Sequence, residues 1–166
     1  MKFLEMRVSG VIVDPSTYIP MVILKDMEEK KTLPVWVGIM EAAAILTSLE
    51  SIKSDRPMTH DLAKNIISTL GADVQKVAIT DLYDNVFYAT LYLSDAKGEL
   101  IELDARPSDA IAIAMRSFAP ILVNESIIDK ARVIDLSAES MKSKSSAELR
   151  SILENLSAED FGKYKM

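Results

Sequence analysis

The sequence predicts an α+β fold, mainly antiparallel sheet with helices packed against it. Apolar and polar residues alternate with period two in several short stretches separated by turn sequences. Two stretches, Ile39 to Ser51 and Pro107 to Phe118, are instead rich in alanine and aliphatic residues, as buried helices are. The alternating stretches also come in two runs of three, each run followed by one of these helices, and not as strand and helix by turns.

With 166 residues, 49% of them hydrophobic and 27% charged, the chain is long enough to bury a core as one domain with a short appendage. The expected division is a domain over residues 1–136 and a Ser/Lys-rich linker with a C-terminal helical appendage over 137–166. No apolar run approaches the roughly 20 residues that span a bilayer, and no signal-peptide core follows Met1, so a cytoplasmic location without membrane contact is expected.

The first strand alternates Leu4, Met6 and Val8 with charged and polar residues, and Gly10 suggests a bulge before Val11. Asp14-Pro15-Ser16 is a turn, and Tyr18 to Leu24 is a second strand whose Pro20 suggests an edge or a break in pairing. A charged link leads to a third strand, Thr32 to Val37, and Gly38 starts the helix that carries Glu41 in its first turn. Thr59 is a suitable N-cap for a helix from His60 to Leu70, closed by Gly71. Val74 to Tyr83, Val86 to Ser94 and Glu99 to Asp104 then form an antiparallel meander joined by good turn sequences.

Pro107 opens the next helix at a position where a missing N–H costs nothing. Ala119 to Val123 is a short strand, and Asn124 caps a small helix from Glu125 to Ala131. Arg132 to Leu136 reads as extended, and Leu149, Ile152, Leu153 and Leu156 form an apolar stripe that must dock on something. Because Glu41-Ala42 and Asp109-Ala110 occupy equivalent places after their strands, the chain carries a weak internal duplication of a strand-strand-strand-helix unit. About a pseudo-twofold axis both acidic helix starts would approach one cleft.

The absence of cysteine rules out disulfides, thiolate catalysis and cysteine zinc sites, and a single histidine rules out a His-rich metal site. A metal would sit mainly on carboxylates, which suits Mg²⁺, Mn²⁺ or Ca²⁺ better than Zn²⁺. With 25 acidic against 19 basic residues the chain has a formal charge of −6, unlike a general nucleic-acid coat, although arginines beside carboxylates can still hold a phosphodiester.

Chemistry concentrates in Asp104-Ala105-Arg106-Pro107-Ser108-Asp109-Ala110 and in Arg56-Pro57-Met58-Thr59-His60-Asp61-Leu62. Each residue has a structural reading: Asp109 and Asp61 as helix-start acids, Arg106 as their partner, Arg56 as a solvated arginine, His60 as a surface residue. Each has a functional one too, with guanidinium forks on a phosphate and carboxylates on a divalent ion or a water. In that reading His60 transfers a proton, as suits an imidazole. Trp36, Tyr83, Phe87, Tyr88 and Tyr92 read as core or cross-strand packing ahead of base-stacking platforms.

Those two turns, together with Leu33-Pro34-Val35-Trp36-Val37-Gly38 followed by Glu41-Ala42, and with Phe87-Tyr88-Ala89, resemble the successive signatures of the bifunctional nuclease domain. The likeness runs from about Met6 to Ala131. It implies a nuclease acting on RNA and DNA, an activity attributed to plant members. Joined to the residue chemistry, it suggests divalent-metal hydrolysis of phosphodiesters. Glu41, His60, Asp61 and Asp109 would be catalytic, Arg56 and Arg106 would bind substrate, and Asp104, Asp109 and Glu41 would hold Mg²⁺ or Mn²⁺. The alternative is a non-catalytic binding or assembly module whose Arg-Pro motifs are structural caps. A homodimer is expected from open sheet edges and the apolar C-terminal stripe.

Overall fold

A computed structural model of the chain describes residues 2–15, 18–84 and 86–130. Its strands are β1 (Phe3–Val13), β2 (Pro20–Asp26), β3 (Thr32–Trp36), β4 (Asp73–Tyr83), β5 (Val86–Ser94), β6 (Leu100–Ala105) and β7 (Ile121–Asn124). Its helices are α1 (Ile39–Leu49), α2 (Thr59–Thr69), α3 (Pro107–Ser117) and α4 (Glu125–Lys130). The strands make one sheet in the order β3-β2-β1-β7-β4-β5-β6. Every pairing is antiparallel except the one between β4 and β7. The α+β expectation is met, with β1-β2-β3 and β4-β5-β6 flanking the late strand β7. The expected stretches after Lys130, including the apolar stripe of Leu149 to Leu156, lie outside the described residues.

The side chains of Met6, Val22, Leu24, Leu33, Val35, Val77, Ile79, Leu91 and Val123 share a face of the sheet with the apolar sides of α1 and α3. Helix α3 buries Ser108 and every residue from Ala110 to Ala114, because it touches α1, α2, β4 and β5 at once. Alanines at 110, 112 and 114 let those neighbours approach closely, while Ile111 fills the interior at zero exposure. Helix α2 is different. It buries no residue, and only Ala63 and Ile67 reach the core.

Several local readings hold. The register of β1 against β2 shifts between Val8 and Gly10, as a bulge there requires. Gly71 has φ of 77° after the C-cap Leu70, and Asn124 Oδ1 accepts the Ser126 N–H at the start of α4. Others need correcting. Pro20 marks neither an edge nor a gap: it opens the interior strand β2, where a first residue needs no ladder N–H. Thr59 is not a cap. Met58 occupies that position because the Asp61 carboxylate accepts the Met58 N–H at 2.9 Å and does the capping instead. The reading of the aromatics as core or cross-strand packing holds for Phe87, which packs on the core, and for Tyr92, which lies under the ammonium of its cross-strand partner Lys76, while Trp36, Tyr83 and Tyr88 are exposed. No helix among the described residues is long and apolar enough to cross a membrane.

Candidate active site at three helix starts

Helices α1, α2 and α3 each carry an acid three residues after the N-cap: Glu41 after Gly38, Asp61 after Met58, Asp109 after Arg106. A carboxylate there ordinarily folds back onto the N-cap N–H. Asp61 does so. Glu41 and Asp109 instead reach for Arg106, which is itself the N-cap of α3. The sheet makes this meeting possible, since α1 leaves β3 and α3 leaves β6, and both helices return across the same face to touch each other.

The Arg106 guanidinium binds Asp109 with two donors, Nε to Oδ2 at 2.7 Å and Nη2 to Oδ1 at 3.1 Å. Its Nη1 donates to Glu41 Oε1 at 2.9 Å. Asp109 Oδ1 also meets His60 Nε2 at 3.0 Å. One continuous chain of contacts, Glu41–Arg106–Asp109–His60, therefore joins three helices. His60 and Glu41 are largely sheltered, with 15% and 21% of their side chains exposed, whereas Arg106 is 65% exposed. A guanidinium has five N–H groups and these contacts use three, so two remain for an incoming anion.

Burial pushes the Asp109 carboxyl up, but the hydrogen bonds from Arg106 and His60 and their charges together outweigh it and hold the group below the ordinary aspartate value. The same bonds from Asp109, with Glu41 adding to them, raise Arg106 further. An ionised carboxylate can only accept, so a neutral His60 bonded to Asp109 carries its proton on Nε2 and presents Nδ1 as its basic nitrogen.

The remaining candidates do not join this chain. Asp61 Oδ1 accepts from Arg116 Nε at 2.5 Å. Burial again raises it and is outweighed, here by the Met58 N–H and by Arg116. Asp104 is exposed on β6 opposite Thr90, and Arg56 is exposed in the loop before α2 with no ion pair among the described residues. Among the described residues no three His, Asp or Glu side chains are placed to hold a metal ion together. Of the expected Mg²⁺ or Mn²⁺ ligands, Glu41 and Asp109 both bond the Arg106 guanidinium, and Asp104 stands apart from them on β6. A hollow beside the start of α4, bordered by Lys2, Thr80, Asp81 and Glu125, contains none of the cluster.

Arg116 is the residue that sequence reasoning missed. It stands seven positions after Asp109 on an otherwise apolar helix, a spacing that returns to the same face and was legible.

A family model described as Bifunctional nuclease domain matches residues 22–135. The chain belongs to the bifunctional nuclease domain family. Within it, an uncharacterised protein of Mycobacterium tuberculosis is 37% identical over 130 residues, 78% of this chain and 77% of that protein. Bifunctional nuclease 2 of Arabidopsis thaliana is 34% identical over 107 residues, 62% of this chain and 32% of the plant protein. Bifunctional nuclease 1 of Oryza sativa subsp. indica is 36% identical over 110 residues, 64% and 33%. The chain thus spans about a third of these plant relatives. The bifunctional nuclease domain match takes in the whole Glu41–Arg106–Asp109–His60 cluster and Arg116 as well.

Proposed function

We propose that this domain cleaves phosphodiester bonds of RNA or DNA at the Glu41–Arg106–Asp109–His60 cluster. The observation that carries the proposal is the continuity of that cluster: an exposed guanidinium fixed by two carboxylates, one of which also orients the chain's single imidazole. The names of the plant relatives support the same reaction class. In this reading the free N–H groups of Arg106 receive a phosphate oxygen. Clamping by Glu41 and Asp109 removes in advance much of the roughly 2 kcal/mol of side-chain entropy that a loose arginine would lose on binding. His60 in its neutral form takes a proton at Nδ1 from a water whose oxygen bonds to phosphorus, the phosphorus–oxygen bond to the leaving nucleotide breaks, and the imidazolium, stabilised by Asp109, returns the proton to the departing oxygen.

The first turns of α1 and α3 have no side chain capping their N–H groups and direct positive helix ends toward the same region. With a neutral imidazole the four side chains sum to one negative charge, so the phosphate must meet the outer edge of Arg106 and not the carboxylates behind it. The test follows labelled single-stranded RNA and DNA with Mg²⁺, with Mn²⁺ and with EDTA. His60→Asn is expected to lose about 10²- to 10⁴-fold in rate. Equal cleavage by wild type, His60→Asn and Arg106→Met would trace the activity to a contaminant.

A binding module is the second reading, favoured by the fact that every charge in the cluster already has a partner, as in a structural clasp. Oligonucleotide binding without cleavage would establish it. We also propose that the domain is a homodimer. Its support is that among the described residues β3 and β6 are unpaired sheet edges and that Met58, Leu62, Ile66 and Leu70 form an exposed apolar row at four-residue spacing along α2.

A further inference from the structure

We propose that Asp61 and Arg116 are positioning residues, whose ion pair holds His60 on Asp109. The proposal rests on the functional reading above for its consequence in catalysis, but its geometry stands separately. Helix α2 buries no residue, so hydrophobic packing is a weak anchor for the helix that carries the imidazole. Polar contacts with α3 supply what packing does not. Asp109 and Arg116 lie seven residues apart on α3, about two turns or 10 Å along its axis. The consecutive residues His60 and Asp61 take one each, at 3.0 Å and 2.5 Å.

These contacts fix both position and direction. A helix tethered by His60 alone could pivot about that bond, whereas two attachment points along α3 set the angle at which α2 crosses it. Arg116 is suited to the second point because it is nearly buried, with 10% of its side chain exposed, and its own position is set by the Nη1 bond to the Ala112 carbonyl at 3.1 Å. Asp61 ties that anchor to the start of α2 by accepting the Met58 N–H. Neither side chain belongs to the Glu41–Arg106–Asp109–His60 chain of contacts, and a phosphate placed on Arg106 needs nothing from them. Their effect on the reaction passes through His60.

The chain has one histidine, so its imidazole signals in a ¹H–¹⁵N spectrum come from His60 alone. In the wild type the Nε2 proton is expected as a protected, downfield signal, and Asp109→Asn, which weakens its acceptor, assigns it. Arg116→Met is expected to abolish that signal and to bring the two ring nitrogens toward averaged shifts while the backbone amide spectrum stays dispersed. Arg116→Lys, which keeps a cation for Asp61, is expected to retain it. In the cleavage assay Arg116→Met should lower kcat by up to about 10²-fold with KM unchanged, as for a reacting group displaced by about 1 Å.

A wild-type imidazole signal in folded Arg116→Met would overturn the proposal. Should Arg116→Met fail to fold, Asp61→Asn decides, since its amide oxygen can still accept the Met58 N–H while its amide nitrogen cannot accept from Arg116. Unfolding of both variants would also overturn it, by showing the pair to be a determinant of the fold. Loss of the His60 signal in a protein that cleaves nothing would sustain the positioning claim and reject the nuclease reading.

Discussion

Replacing Gly38 by alanine is expected to leave the fold intact while disabling the site. Gly38 has φ of −71° and ψ of 164°, a conformation alanine adopts without strain. Alanine gains about 0.4 to 1 kcal/mol by restricting the unfolded chain, and loses about as much as a poorer N-cap than glycine. A β-carbon at this position would overlap Glu41 Oε2 and lie 3.2 Å from Glu41 Cδ. The carboxylate must then retreat by about 1 Å to reach ordinary contact distance. That movement breaks the 2.9 Å bond to Arg106, a partly exposed pair worth about 0.2 to 1 kcal/mol. The balance predicts a change in stability within about 1 kcal/mol, or a shift in Tm of about 4 °C or less. Arg106, left with Asp109 alone, shifts by a comparable distance, and cleavage is expected to fall by up to about 10²-fold. Thermal melts and cleavage rates of Gly38→Ala, Glu41→Ala and the double variant test the route. If Gly38→Ala acts through Glu41, the double variant is no worse than Glu41→Ala. Additive losses, or a fall in Tm of about 10 °C, would refute the reasoning.

Asp109 and Asp61 are both held below the ordinary aspartate value, so on acidification the unfolded chain takes up protons before the folded one. The stability they contribute is complete above about pH 5 and is lost as pH falls through their folded values. Thermal melts between pH 6 and pH 2.5 should show a shallower acid limb in Asp109→Asn than in wild type, and parallel limbs would show that its ion pairs do not couple to folding. Ile111→Ala, at the fully buried centre of α3, is expected to cost about 2 to 5 kcal/mol in urea denaturation. Ile66→Glu should convert a sedimenting dimer to monomer without loss of secondary structure; a dimer that survives this substitution is not assembled through α2.

Strands and helix starts were legible in the sequence because alternation, turns and proline or glycine boundaries act locally, as the bulge before Gly10 and the left-handed Gly71 show. The strand order was only half legible. The meander β4-β5-β6 follows from short turns, but the insertion of β7 between β1 and β4 is a long-range pairing with no local signal. Within the site, the meeting of Glu41 with Asp109 could be anticipated from their equivalent places after β3 and β6. Asp61 could not be separated from Asp109. Each follows an Arg-Pro pair and opens a helix, and what divides them is Arg116, which reaches Asp61 from the far end of α3. Asp104 looked equally promising by proximity to Arg106, yet a strand residue whose side chain stands on the exposed surface of β6 has no route to the helix starts.

The three N3 acids offer an internal comparison, since one local rule applies to all of them. Asp61 obeys it, closing the first turn of α2 through the Met58 N–H. Glu41 and Asp109 depart from it, leaving α1 and α3 without a side-chain cap, and both departures serve the same guanidinium. Departures from local preference that converge on one group mark a site selected for something other than stability. Asp109 commits both oxygens to the cluster, Oδ2 to Arg106 Nε and Oδ1 to Arg106 Nη2 and His60, so an Asp109 that turned back to cap α3 would give up at least one of these bonds.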